Sequence, residues 1–177
     1  PGGWAGSEEE VAGLVEDLCE ALALGEGARE RWAEEALRWA EGAACTQLVL
    51  RSHQVLRALR PALGSSSVAS LLHQLAGAAA LCPEAAAAAC AEQALHTLCA
   101  LVCDGEGAKV VLHPQLFWAC VGALRSPAKA ITRAALELLV ELLHKLQQAQ
   151  SPETAAQVLL LSAPKGGKGG APPPFDG

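Results

Sequence analysis

Residues 28–61 read ARERWAEEALRWAEGAACTQLVLRSHQVLRALRP, and the spacing of their apolar positions decides the fold. Trp32, Ala36, Trp39 and Ala40 recur at three- and four-residue intervals, whereas Arg29, Glu34, Glu35, Arg38 and Glu41 fall mostly elsewhere. That period belongs to a helix with one buried face, here over about 28–42. A second helix, over about 46–60, puts Leu48, Val55, Leu56 and Leu59 on one side and leaves Arg51, Gln54, Arg57 and Arg60 opposite. Pro61 ends it, because the residue before a proline is driven out of the helical region. Two helices joined by so short a link form an antiparallel pair.

The same signals continue in both directions. Upstream, Ser7 and Glu10 form a capping box: the hydroxyl accepts an orphan backbone N–H and the carboxylate reaches back to the cap residue's own N–H. The helix they open is expected to run to about Leu24 and to stop at Gly25 and Gly27. It is acidic and amphipathic enough to cover the end of a stack. Downstream, Gly64 and Ser65 to Ser67 introduce a helix over 65–81 carrying Val68, Leu71, Leu72 and Leu75, and Pro83 stands at the first position of another over 83–103. Ala89 to Cys103 is apolar on nearly all sides, which predicts deep burial, and Asp104-Gly105 closes it.

A helix from Pro114 to about Arg125 carries Leu116, Phe117, Cys120, Val121 and Leu124. Ser126-Pro127 opens a long one to about 149 with Ile131, Ala135, Leu138, Leu139, Leu142 and Leu146 inward, and Ser151-Pro152-Glu153 opens a short one ending in the apolar run Val158 to Leu161. Lys165 to Gly177 is Gly, Pro and Lys with almost nothing to bury, so it is expected to be disordered. The expected organisation is a lead over 1–6, a helical segment over 7–161 and a tail over 162–177.

The pairs 28–42 with 46–60, 65–81 with 83–103, and 114–125 with 127–149 each occupy roughly 35 to 45 residues, the size of a HEAT or armadillo unit. The expected fold is therefore all-α, a HEAT/armadillo-like α-solenoid segment of antiparallel helix pairs. A compact eight-helix bundle is the alternative packing of the same elements.

Composition agrees with helices and limits function. The chain is 51% hydrophobic and only 3% aromatic, with no Tyr and no Met, so strand-favouring residues are scarce. Lacking Met and opening on Pro1, it reads as a piece of a longer polypeptide. Glu92, Gln93 and His96 interrupt the richest apolar run, which argues against a membrane-spanning helix. Glu8, Glu9 and Glu10 stand where a signal peptide would be basic. A formal charge of −6 disfavours nucleic acid and lipid headgroups as partners. The seven cysteines lie mostly inside apolar helical runs and read as reduced, buried small hydrophobes of a cytosolic protein.

Candidate chemistry is sparse. His96, Cys99 and Cys103 share a helix face, but no CxxC turn accompanies them, so the expectation is a packed face rather than zinc. Asp17, Asp104 and Asp176 sit in a helix, at a helix stop and in the tail, none placed beside a Ser or Cys and a base. His53, His73 and His144 have the neighbours of ordinary surface. Lys165-Gly-Gly-Lys168 has no Ser or Thr after either lysine and no strand before it, so it lacks the mechanism of a phosphate loop. Arg51, Arg57 and Arg60 read as a solvated basic face or as a patch for an acidic partner. Trp32 and Trp39 are expected in the core, and Trp118 is expected between the sixth and seventh helices. No residue is singled out for catalysis, a cofactor or a metal.

Two stretches resemble the Furry family of cell-morphogenesis scaffolds. Trp32-Ala-Glu-Glu-Ala-Leu-Arg-Trp-Ala followed by Leu50-Arg-Ser-His-Gln-Val-Leu-Arg-Ala-Leu-Arg-Pro61 is similar to that family's helix of spaced tryptophans and the helix after it, with His53 and Leu56 where the family has aromatic residues. His113-Pro-Gln-Leu-Phe-Trp118, with Leu136-Glu-Leu-Leu and Leu142-Leu-His-Lys-Leu146, resembles a second pair of family motifs. The resemblance spans about Arg29 to Gln148. It implies a large cytoplasmic or cortical HEAT/armadillo-like scaffold, without catalytic residues or cofactor, that serves NDR-class kinases and Mob coactivators in polarised growth. It also implies that Arg51, Ser52, Gln54, Arg57, Gln115, Phe117 and Trp118 are packing or docking positions. An unrelated helical-repeat adaptor in transport or chaperone work, and a small thiol or metal enzyme, are the competing classes.

Overall fold

The computed structural model describes residues 7–80, 85–148 and 152–163. Among them all regular structure is helical: α1 (Glu8–Ala21), α2 (Glu26–Gly42), α3 (Thr46–Leu59), α4 (Ser65–Ala80), α5 (Ala85–Asp104), α6 (Gly107–Val111), α7 (Gln115–Ala123), α8 (Lys129–Gln148) and α9 (Pro152–Leu161). The starting signals act as read. Ser7 Oγ accepts from Glu10 N at 3.2 Å and the Glu10 carboxylate accepts from Ser7 N at 2.6 Å. Cys82, Pro83 and the tail from Lys165 lie outside the described residues.

The stops differ in instructive ways. α1 ends before Gly25, because Ala23 takes a left-handed conformation with φ 47° and Leu24 N donates to Cys19 O at 2.9 Å. A left-handed alanine carries about 1–2 kcal/mol of steric penalty, whereas glycine carries none and loses about 0.5–1 kcal/mol through unfolded-state freedom. Ala23→Gly is therefore expected to raise stability by about 0.5 kcal/mol in urea unfolding; a clear loss would mean the turn is not held in that conformation. α3 stops as Pro61 requires, with Arg60 left-handed at φ 48°. Gly105 closes α5 by close approach: an added Cβ would lie 3.1 Å from Leu101 O. The five-residue α6 is too short to show a period and does not emerge from the sequence.

Adjacent helices in the chain pack as pairs, α2 on α3, α4 on α5, and α7 on α8. The connections are only a few residues long, so each pair turns back on itself. Successive pairs meet mainly through their second helices, α3 on α5 and α5 on α8, with lighter contact of α2 on α4 and α4 on α7, while α1 lies against α3. This leaves α5 enclosed by α3, α4 and α8, which is why its all-round apolar sequence is stable there. α5 is also the one helix among the described residues long and apolar enough to cross a membrane; here Leu95, Leu98 and Val102 are fully buried against protein.

The apolar interior forms two clusters. The larger gathers Val68, Leu71, Leu95, Leu98, Leu116, Ile131, Ala135, Leu138 and Leu142, and the smaller gathers Val15, Cys19, Ala33, Ala36, Leu56 and Leu59. Two expectations about the smaller one fail. Trp39 is 49% exposed, because α2 turns the small side chains of Ala33, Ala36 and Ala40 inward. Small residues there let the two backbones approach closely, and a bulky indole is left at the rim. On α3 the buried set is Val49, Ser52, His53, Leu56 and Leu59, and Leu48 is exposed. Counting apolar residues alone hid this face, since two of its members are polar.

Candidate functional site

Ser52 and His53 place polar groups in the interior; Ser52 Oγ is satisfied within α3 by Leu48 O and His53 by Thr97 of α5, which Arg57, one turn further along α3, also holds. The guanidinium reaches three elements. Its Nε donates to Glu8 Oε1 of α1 at 2.5 Å, Nη1 to Thr97 Oγ1 of α5 at 3.1 Å, and Nη2 to Gln93 Oε1 of α5 at 2.8 Å. The Arg57 side chain is only 9% exposed, so it is not part of a solvated basic face. A planar guanidinium spreads five donors over three nitrogens, so it can meet acceptors on separate helices at once.

His53 is fully buried, not at the surface as its neighbours in sequence suggest. Its Nδ1 lies 3.1 Å from Thr97 Oγ1. Because Thr97 Oγ1 already accepts from Arg57, its own proton is available to Nδ1, which assigns the imidazole proton to Nε2. Nε2 is buried and makes no hydrogen bond of normal geometry among the described residues, although the Gln74 side chain lies near enough to favour the charged ring. Burial lowers the His53 pKa to about 4 and the Arg57 charge pushes the same way, with Gln74 opposing weakly. Glu8 is held below the usual carboxylate range by its hydrogen bond to Arg57, against a smaller opposing effect of burial. The knot thus holds a neutral imidazole beside an Arg–Glu pair.

This knot borders a polar cleft of about 340 Å³ where α1, α3 and α5 meet, with Gln54, Arg57, Arg60 and Asp104 on its walls. Gln54 accepts from Arg51 Nη1 at 2.7 Å and Ser52 Oγ donates to Leu48 O at 2.8 Å. Four of the positions singled out by resemblance therefore lie together: Arg57 and Ser52 are turned inward, while Gln54 lines the cleft and Arg51, bonded to it, is half-buried.

The other three are on α7, away from the knot. Gln115 is exposed, with Nε2 3.5 Å from His113 Nδ1. Phe117 and Trp118 stack edge to face with centroids 5.2 Å apart. Trp118 is half-buried, and its Nε1 donates to Leu159 O of α9 at 3.1 Å. It ties α9 down and is not shut between α7 and α8. Trp118→Ala is accordingly expected to cost about 1–2 kcal/mol, below the 3–5 of a fully buried aromatic. Proteolysis at α9 should rise with it; unchanged protection there would show that the indole does not anchor α9.

Further links join α5 to α8. His96 lies 3.8 Å from both Glu92 and Glu137, and Arg133 pairs with Glu137 at 3.0 Å. Lys145 Nζ donates to Cys103 O at 2.7 Å and Gly105 O at 2.9 Å, supplying a cation where the dipole of α5 is negative. The six cysteines of the described residues are free thiols. Burial pushes Cys99 and Cys120 up to about 12 and raises Cys90 and the exposed Cys103 as well, which disfavours the thiolate at these positions. Among the described residues no three His, Cys, Asp or Glu side chains are grouped to hold a metal. An apolar cleft of about 430 Å³ lies between α4, α5, α7 and α8, with Arg125 and Ser126 at its edge.

These features define an all-α protein of successively packed helix pairs whose polar groups work between helices. Residues 6–84 match the family model described as the cell morphogenesis central region. The match, a little under half of the chain, supports a Furry-like segment over the stretch that holds α1 to α4, and the motif at Trp32 to Pro61 falls inside it. The second pair of motifs, from His113 to Leu146, lies beyond the matched residues. No curated protein and no solved structure matches the chain.

Proposed function

We propose that the chain is a non-catalytic scaffold segment with an α-solenoid arrangement of the HEAT/armadillo kind, supporting NDR-class kinase and Mob coactivator signalling in polarised growth, in the cytoplasm and at the cell cortex. The observation that carries this reading is the order of packing. Second helices meet second helices along the chain, α1 to α3 to α5 to α8, and first helices meet first helices, α2 to α4 to α7. A bundle would bring distant helices together around one centre, whereas a stack has each pair touch its neighbours only and presents long continuous surfaces. The match of residues 6–84 to the cell morphogenesis central region supports morphogenesis as the setting. The high pKa of the buried thiols and the commitment of His53 to packing support a binding role over a thiol enzyme.

The test is direct capture of a purified NDR-class kinase with its Mob coactivator by the 177-residue chain. Saturable binding is expected. Failure of the complex to bind, with the chain folded, would leave an adaptor for other partners as the better reading.

A further inference from the structure

We propose that the outward face of α1 is a docking strip for an amphipathic helix with a lysine- or arginine-rich flank. α1 packs chiefly on α3 and turns Val15 and Cys19 into the core. It carries more large apolar residues than that contact can cover. Leu14, Leu18 and Leu22 are 60%, 40% and 65% exposed, and their spacing of four residues aligns them as a ridge about 12 Å long on the solvent side. This overturns the expectation that α1 covers the stack with a polar outer face. Single exposed leucines need no explanation, but a ridge of three on one helix does.

The charge beside the ridge says what covers it. α1 contains six carboxylates and no cation. Helical geometry puts Glu10 and Asp17 along one edge of the leucine ridge, with Glu20 next to them. Glu8 is engaged by Arg57 and Glu10 by the Ser7 backbone, while Asp17 and Glu20 have no cation partner among the described residues. A second copy of the chain would set acid against acid, and an anionic membrane surface would be repelled in the same way. A helix with an apolar stripe and a basic border matches both features, the stripe against the leucines and the border against Asp17 and Glu20.

The inference rests on the scaffold reading but has its own assay. The probe is a synthetic amphipathic helix with leucines at i, i+4 and i+7 flanked by lysines, compared by fluorescence anisotropy with the same stripe flanked by glutamates. Two rim charge pairs predict roughly tenfold tighter binding of the lysine peptide, weakening as salt rises. Leu18→Ser should weaken binding of the lysine peptide, and Asp17→Lys with Glu20→Lys should reverse the preference; all three positions are exposed, so the variants should fold. Absence of saturable binding, equal binding of both peptides, or indifference to Leu18→Ser would overturn the proposal. So would self-association that Leu18→Ser abolishes, since the strip would then be covered by a second copy. Capture of the kinase and coactivator without peptide binding would remove only this proposal, and peptide binding without capture would remove only the scaffold assignment.

Discussion

Arg57→Ala is expected to lower the unfolding free energy by about 3 kcal/mol, read as a fall in the urea midpoint at unchanged slope. The residue closes three hydrogen bonds to α1 and α5, and its removal leaves the buried hydroxyl of Thr97 with one partner fewer and Gln93 without its guanidinium. Stranding buried polar groups is among the more destabilising single changes, because each keeps its desolvation penalty and loses its compensation. The exposed Glu8 contributes little to this sum, since water screens it. Arg57→Lys should recover only a minor part, because the three donors of an ammonium sit on one nitrogen and cannot reach the acceptors that Nε, Nη1 and Nη2 meet separately. A loss below about 1 kcal/mol would show that α1, α3 and α5 are held by apolar contact alone.

That expectation could not have been reached from the sequence, and the reason is physical. Helix starts are written locally: Ser7 with Glu10 requires only the three residues between them, and a proline such as Pro61 acts on the residue before it. These were readable one window at a time. The direction in which a helix faces is not local. On α3 the apolar positions alone favour a face through Leu48, but the packed face runs through Val49, Ser52 and His53, with Ser52 satisfied by Leu48 O in its own helix and His53 by Thr97 of another. His53 looks like a surface residue until its partner 44 positions away is known. Trp39 misleads for the opposite reason. A large aromatic suggests a core, yet the helix interface is set by three alanines that leave no room for it. The pairing of helices, by contrast, follows from short links, and so was legible throughout.

The family resemblance adds a different kind of information. It directs attention to Arg51, Ser52, Gln54 and Arg57 without saying which of them face inward. The structure separates them: Arg57 ties α3 to α1 and α5, Ser52 is buried with its hydroxyl on Leu48 O, Gln54 lines the cleft, and Arg51 is half-buried beside it. A substitution at Arg57 that abolished partner binding would therefore report on folding first.

Stability is expected to fall as the pH drops from about 6.5 to about 4, by about 3 kcal/mol in total, through His53 alone. In the unfolded chain this imidazole takes up a proton near its ordinary value of 6.5, whereas in the folded protein burial and the Arg57 charge hold the value down to about 4. Between those values the unfolded state binds a proton that the folded state refuses, so protonation favours unfolding; above about 6.5 neither state is charged and the full stability is present. Glu8 acts lower in the range. Its depressed folded value means that its contribution is present above the unfolded carboxylate pKa and is lost as the pH falls through the folded one. His53→Gln keeps an amide able to meet Thr97 but cannot titrate, so the urea midpoint of this variant should be nearly flat over the interval where that of the parent chain slopes. Arg57→Ala should shift the slope to higher pH, since it removes the like charge beside the imidazole. A parent midpoint that stays level from about pH 6.5 to about pH 4 would show that the folded protein takes up the proton on His53 as readily as the unfolded chain.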